Sequence, residues 1–156
     1  MILLLALLIG VVAGLRTMTA PAITSWAARL GWLSVGATPF RFMGGSIAPF
    51  VFAVLALAEI VNDKRASTPS RKIPPQFGAR IVSGGFTGAV IGSAGNALVV
   101  GAVLGVVGAV IGTLGGSAAR GALGRALGKD LPAALIEDAV AVVGGMLLLL
   151  ALTHGV

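Results

Sequence analysis

The sequence predicts an all-α, polytopic helical membrane protein with about five spans in a single transmembrane domain, residues 1–156. Hydrophobic residues make up 57% of the chain, charged residues only 10%, and the mean hydropathy is +1.05. Soluble domains carry about 25% charged residues. Several apolar runs also reach or approach the roughly 20 residues that cross about 30 Å of hydrocarbon. The lipid bilayer is therefore the expected surroundings of this protein.

Residues 2–33 are predicted to form a broken first helix, or two half-helices that meet near residues 16–21. The apolar run 2–15 is shorter than a span, and Arg16 and Pro21 interrupt the apolar pattern that follows. Interrupted helices at membrane depth need protein or water to receive the freed backbone groups. An ordinary proline kink is the alternative. No positive charge precedes the apolar run, which favours a retained span over a signal peptide.

The second span is predicted at about 46–62, after a loop at 34–45. The stretch 64–80 that follows is the only clearly hydrophilic part of the chain and is rich in Lys, Arg and Pro. Lys and Arg are retained in the cytoplasmic loops of membrane proteins. This composition predicts a cytoplasmic loop.

Residues 81–127 are glycine-rich and too long for one span. The chain is expected to turn back at Asn96. This gives a third span at about 80–94 and a fourth at about 98–119. The two spans should therefore run antiparallel.

A fifth span is predicted at about 131–152, because Asp130 is a favourable residue at a helix start. Basic residues again precede this span: Arg120, Arg125 and Lys129. With both basic segments on the cytoplasmic side, five spans place the N-terminus in the cytoplasm and the C-terminus outside. The expected location is the bacterial cytoplasmic (inner) membrane.

Glycines recur at every fourth position in the third and fourth spans, and residues four apart share one helix face. The glycines in this pattern are Gly84, Gly88, Gly92, Gly108, Gly112 and Gly116. Such faces let two helix backbones approach closely, as in a glycine zipper. The partner is either another span of this chain or a second subunit, and a homo-oligomer is expected.

An internal repeat is a further expectation. The first residues of the chain can be laid over a later segment at a constant offset, pairing Val11, Thr17, Ala22 and Arg29 with Val107, Thr113, Ala118 and Arg125. Transporters often contain such repeats. Helices rich in small residues also produce matches of this kind by chance.

Charged residues inside the spans form the candidate site. Four of the five acidic residues lie in or beside apolar runs: Glu59, Asp63, Glu137 and Asp138. A charge at the centre of a transmembrane helix costs roughly 2.5 to 3.5 kcal/mol, so partners or water are needed. The expected partners are Arg16, Arg80 and Arg120.

Three roles remain open for these seven residues. The carboxylates can form a hydrated site that binds a cation or a proton. Alternatively, they can neutralise the arginines and so fix how the spans dock. The arginines can also hold an anionic substrate or a lipid headgroup.

Enzyme chemistry is not expected, and no cofactor is predicted. The chain has no cysteine, its single histidine is His154 at the extreme end, and no hydrolase, zinc-protease or phosphate-loop motif is present. The net charge of +6 is attributed to membrane topology, with no nucleic acid as partner.

The chain resembles a known bacterial family of small integral membrane proteins, catalogued as a domain of unknown function. The residues that carry the resemblance are GLRT at 14–17, Glu59 with Asp63 and Lys64, Arg71, Arg80, the glycine series, Arg120, and the pair Glu137 and Asp138. It extends over essentially the whole chain. The resemblance implies an α-helical membrane fold and the importance of the charged positions, but no particular substrate.

The leading hypothesis is a small membrane transporter or channel-like protein. Its carboxylate and arginine site would handle an ion, a proton or a small polar solute. The alternative is a membrane scaffold or assembly protein that transports nothing and whose buried charges are structural.

Overall fold

The computed structural model describes residues 1–63 and 73–153, and these residues form helices without any strand. The expected cytoplasmic loop falls largely outside the described residues, as does His154. The helices are α1 (Ile2–Leu15), α2 (Thr19–Arg29), α3 (Ala48–Asn62), α4 (Pro74–Ala94), α5 (Leu98–Leu127) and α6 (Asp130–Thr153), with a short 3-10 helix at Arg41–Gly44 before α3. The prediction of an all-α fold is confirmed for this part of the chain.

The first helix is interrupted where the sequence indicates. α1 ends before Arg16, whose backbone is extended with φ −140° and ψ 113°. α2 then folds back along α1. This direction is seen at Gly145 of α6, which faces both Val12 of α1 and Ile23 of α2. Pro21 lies in the first turn of α2, where its missing N–H removes no helical hydrogen bond. Two separate helices therefore form, and Pro21 does not kink a continuous one.

Three helices, α1, α4 and α5, make the centre of the bundle. α4 and α5 are antiparallel around a turn at Asn96, the one non-glycine residue with positive φ (55°) among those described. A β-carbon added at Gly84 would lie 2.6 Å from the carbonyl oxygen of Gly105, and Gly88 faces Gly101. The helix backbones therefore touch directly, which only glycine permits.

The remaining glycines of the series have three different surroundings. Gly92 continues the contact between α4 and α5, where it faces Gly101. Gly108 and Gly112 instead face the backbone of α1. Gly116 is half-buried beside a small cleft. The glycine faces of both predicted spans are thus used within one chain.

α3 lies at the edge of the bundle and has an exposed apolar surface. It packs on α2 and on the 3-10 helix, and only Pro49 and Ala56 of its 15 residues are buried. Val54 and Leu57 are each 64% exposed. α6 packs on α5, α1 and α2 and also exposes apolar side chains.

Two helices in the described parts of the chain are long and apolar enough to cross a membrane: α5, with 30 residues, and Asp130–Leu148 of α6. α1 and α3 are also apolar but have 14 and 15 residues. At 1.5 Å per residue they extend about 21 to 23 Å, less than the hydrocarbon thickness of about 30 Å.

The N-terminus does not share an end of the bundle with the acidic residues. The Ile2 side chain lies against Gly95 at the turn between α4 and α5. Arg16, at the far end of α1, contacts Asp63 and Asp138. The expectation that the N-terminus lies on the same side as the basic segments is therefore wrong, because α2 reverses the chain once more than predicted.

The two segments of the expected internal repeat have different structures. The earlier segment, 11–29, spans α1, the break and α2. The later segment, 107–125, lies within the single continuous helix α5. The offset match reflects shared small-residue composition and no repeated fold.

Candidate functional site at the helix break

The candidate site surrounds the turn between α1 and α2. The last carbonyls of α1 and the first amides of α2 have no partners within their own helices. Buried without partners, such groups are strongly unfavourable. The neighbouring helices supply side chains that bind them.

Glu59 of α3 binds the free backbone amides just before α2. Its Oε1 accepts a hydrogen bond from the Thr17 amide at 2.8 Å, and its Oε2 accepts one from the Met18 amide at 2.7 Å. The negative charge also lies at the positive end of the α2 dipole. Glu59 therefore acts as a cap supplied from another helix.

The free backbone carbonyls of the break are bound by side chains of α4 and α5. Arg80 Nη1 donates to the carbonyl oxygens of Gly14 and Leu15, each at 2.8 Å. Ser83 Oγ donates to the Thr17 carbonyl oxygen at 2.5 Å. Thr113 Oγ1 donates within its own helix to the Ala109 carbonyl oxygen at 2.7 Å, and it also lies 3.2 Å from the Gly14 oxygen. The break is thus enclosed by protein.

Arg16 extends from the break into the protein and is fully buried. Its Nη1 lies 2.7 Å from Asp63 Oδ2, and its Nη2 forms an ion pair with Asp138. A buried arginine requires such partners, since the desolvation of an unpaired charge is very costly. Arg16 joins α1 to the ends of α3 and α6.

Arg120 of α5 forms the second centre of charge. Its Nη1 lies 3.0 Å from Asp63 Oδ2 and 3.6 Å from Glu137 Oε2. Its Nη2 lies 2.6 Å from Asp130 Oδ2. Asp63 is therefore shared between Arg16 and Arg120. This sharing links α1, α3 and α5 through one carboxylate, and the acidic residues of α6 pair with the same two arginines.

All seven predicted site residues belong to this assembly, which we name the charged network. Its arginines are Arg16, Arg80 and Arg120, and its carboxylates are Glu59, Asp63, Asp130, Glu137 and Asp138. Arg80 Nη2 reaches Glu59 Oε1 at 4.0 Å. Every acidic residue of the chain is included.

Sequence reasoning missed three members of the site. Asp130 was expected only as a helix start, although it follows Arg120 by ten positions across a short turn. Ser83 lies three residues after Arg80, a spacing that places both on one helix face. Thr113 had no such signal, because its role depends on how closely α5 approaches Gly14.

The close approach of α5 to the break depends on Gly14. A β-carbon added there would lie 2.6 Å from the Thr113 amide nitrogen. Larger residues would force α1 and α5 apart and lengthen the contact from Thr113 to the break. Gly14 also faces Gly112 of the glycine series, so these two glycines together allow α5 to lie against the break.

The charged network borders an open depression of about 700 Å³ along α3, which reaches Glu59. A cleft of about 100 Å³ touches Arg120 and Glu137 and is otherwise lined mainly by apolar groups. Among residues 1–63 and 73–153, no three His, Cys, Asp or Glu side chains are grouped to hold a metal ion. The chemistry available is exchange of ion-pair partners and uptake of a proton or a monovalent ion by a carboxylate.

The fold and the site define an all-helical bundle with a network of ion pairs at an internal helix break. Comparisons with protein-family models, curated proteins and solved structures give no match to this chain.

Proposed function

We propose that the chain is a multi-pass membrane protein of the bacterial cytoplasmic membrane. The support is the exposure of its long apolar helices: only 33% of each candidate spanning window is buried. A core helix of a soluble protein would be mostly buried. In water, α3, α5 and α6 would expose large apolar patches, which is unfavourable. In a bilayer the same patches would contact lipid, which is favourable.

In this proposal α1, α3, α4, α5 and α6 provide about five spans, and α2 is a half-helix folded back inside the bundle. The end with Asp63 and Arg120 faces the cytoplasm, because the basic segments adjoin it. Ile2 and the C-terminal end of α6 then lie towards the opposite side. The charged network lies about 20 Å along α1 from Ile2, within the hydrocarbon region.

For its activity, the protein is proposed to be a small transporter or channel-like protein for an ion, a proton or a small polar solute. One observation carries this proposal: charged side chains from four helices converge on an irregular backbone segment. In secondary transporters, discontinuous helices build the substrate and ion sites in the same way. Irregular backbone at membrane depth is tolerated where it is enclosed, as it is here.

Asp63 is the residue at which a transported ion would act. Because it pairs with both Arg16 and Arg120, protonation or cation binding at this carboxylate would weaken two links at once. Arg120 would then rely on Asp130 and Glu137. α3 would be released from α5, and the space between them could open towards the cytoplasmic end.

Proteoliposome flux provides the test. Purified protein is compared with Asp63→Asn and Glu137→Gln for uptake of protons, monovalent cations and small polar solutes. Arg29→Gln is the matched control, since Arg29 is exposed at the end of α2, away from the network. We expect flux with the wild type and the control and at least a tenfold loss in both acidic variants. Equal flux in all four proteins would reject the assigned site.

A second candidate function is a scaffold whose charges only hold the helices together. The direct ion pairs and the small size of the adjacent cleft favour it. It predicts that no preparation moves any solute, and that Glu137→Gln lowers thermal stability or disrupts assembly. Stable, correctly assembled variants with lost flux would reject it.

A homo-oligomer belongs to the same proposal. The glycine faces are used within the chain, so the apolar outer face of α3 is the surface offered to a second copy. Cross-linking through cysteines at Val54 and Leu57 should then give dimers in membranes. Monomers at all protein-to-lipid ratios would contradict this assignment.

A further inference from the structure

Two backbone amides at the helix break are bound by an anion that belongs to another helix. The Thr17 amide donates to Glu59 Oε1 at 2.8 Å, and the Met18 amide donates to Glu59 Oε2 at 2.7 Å. Each carboxylate oxygen therefore has its own N–H donor. Within residues 1–63 and 73–153, these amides have no other acceptor. The break thus binds one carboxylate through both of its oxygens, and α3 supplies that carboxylate.

Buried positive charge lies beside the same carboxylate. Arg80 Nη2 is 4.0 Å from Glu59 Oε1, and the Arg80 side chain is only 3% exposed. The amides also precede the first turn of α2, where the helix dipole favours an anion. We name the amides of Thr17 and Met18, together with Arg80, the break anion site. Its donors would remain in place if the Glu59 carboxylate left, because none of them belongs to α3.

Glu59 reaches this site from a loosely packed helix at the edge of the bundle. Of the 15 residues of α3, only Pro49 and Ala56 are buried. The open depression of about 700 Å³ along α3 includes Glu59, whose side chain is 18% exposed, so a small solute can approach it. Asp63 follows Glu59 by four positions on the same helix face. Loss of the Asp63 ion pairs would therefore loosen the hold of Glu59 as well.

We propose that the break anion site binds a small monocarboxylate and that Glu59 is its tethered, displaceable occupant. The incoming carboxylate accepts the two amide hydrogen bonds when α3 moves outward and Glu59 leaves. Two adjacent N–H donors, one for each oxygen, match a planar carboxylate better than a halide ion. Transport of the carboxylate rests on the proposed function, whereas its binding does not require flux.

Replacement of the tethered carboxylate by a free one tests the proposal. Glu59→Ala removes a methylene and a carboxylate, which together have the size of acetate. The variant should melt at a lower temperature than the wild type, because two buried amides lose their acceptor. Acetate at 100 times its dissociation constant should then raise the melting temperature by about 5–10 °C. A variant that gains no stability from acetate, or that stays unfolded at every acetate concentration, would overturn the proposal.

Ser83→Ala is the matched control at the same break. It removes the hydroxyl that donates to the Thr17 carbonyl oxygen, so the lost group is a donor and an anion cannot replace it. Acetate should therefore leave the melting temperature of Ser83→Ala unchanged. Chloride at equal ionic strength should stabilise Glu59→Ala less than acetate does. Equal effects of acetate on the two variants, or of chloride and acetate on Glu59→Ala, would overturn the proposal.

Competition shows whether Glu59 can be displaced in the intact chain. Binding of fluoroacetate to the protein broadens its fluorine NMR line, and acetate should reverse this broadening. We expect saturable binding to the wild type and about tenfold tighter binding to Glu59→Gln, because a neutral amide competes less well than the tethered anion. Equal affinity of the two proteins, or no saturable binding by the wild type, would show that Glu59 is a permanent cap and would overturn the proposal.

Binding and flux fail independently of each other. Stabilisation of Glu59→Ala by acetate, without flux of any solute, would support the break anion site and reject the transporter. Proton or cation flux without any stabilisation by acetate would reject the break anion site and leave the transporter standing.

Discussion

Gly105→Ala is the sharpest test of the central packing. An added β-carbon would collide with the carbonyl oxygen of Gly84, and would lie 2.9 Å from the carbonyl carbon of Gly84 and 3.0 Å from the Gly88 Cα. All these atoms belong to the backbone, so no side-chain rotation relieves the overlap. α4 and α5 must separate, and their contacts weaken along the whole interface.

The magnitude follows from two opposing effects. Overpacking of a tight interior costs typically about 1–3 kcal/mol, and rigid backbone neighbours place this site at the upper end. Against this, alanine is favoured over glycine inside a helix by about 0.5–1 kcal/mol. We expect Gly105→Ala to lower the free energy of unfolding by about 2 kcal/mol.

Gly115→Ala is the matched control in the same helix. An added β-carbon at Gly115 meets nothing within 4 Å, so only the helix preference acts. We expect this variant to be neutral or more stable by up to about 1 kcal/mol. Unfolding in mixed micelles, followed by circular dichroism, gives both values. Equal stability of the two variants would refute the account of backbone contact between α4 and α5.

Two further predictions concern the charged network. Arg16→Gln removes the buried partner of Asp63 and Asp138, and should lower the free energy of unfolding by about 3–5 kcal/mol in the same assay; a loss below about 1 kcal/mol would contradict the pairing. Asp130→Asn should change stability by less than about 1 kcal/mol, because its carboxylate is 69% exposed and screened by solvent. A loss as large as that of Arg16→Gln would show that Asp130 is a buried anchor.

Much of the charged network was predictable because charge in apolar helices requires compensation. Four acids and three arginines stood out against 57% hydrophobic residues, and the structure brings all seven together. The particular pairs were not predictable. Whether Asp63 pairs with Arg16, Arg120 or both depends on how each helix is rotated about its axis and shifted along it. Residue spacing does not define these two quantities.

The role of Glu59 shows a second limit of the sequence. As an acid near the end of an apolar run, it was expected to bind an arginine or an ion. In the structure it caps the amides of Thr17 and Met18, and Arg80 is farther away, at 4.0 Å. Backbone groups freed by a helix break carry no sequence signal of their own, so their partners appear only in three dimensions.

The sequence by itself determined the helical class, the position of the break at Arg16, the turn at Asn96 and the glycine faces. These features are local. They follow from composition, from turns that involve only a few neighbouring residues, and from the periodicity of a single helix. Only the tertiary structure decided that α2 folds back along α1, which reversed the expected side of the N-terminus. A reversal depends on contacts between distant segments, such as Gly145 with Val12 and Ile23, and these follow from packing of the whole bundle.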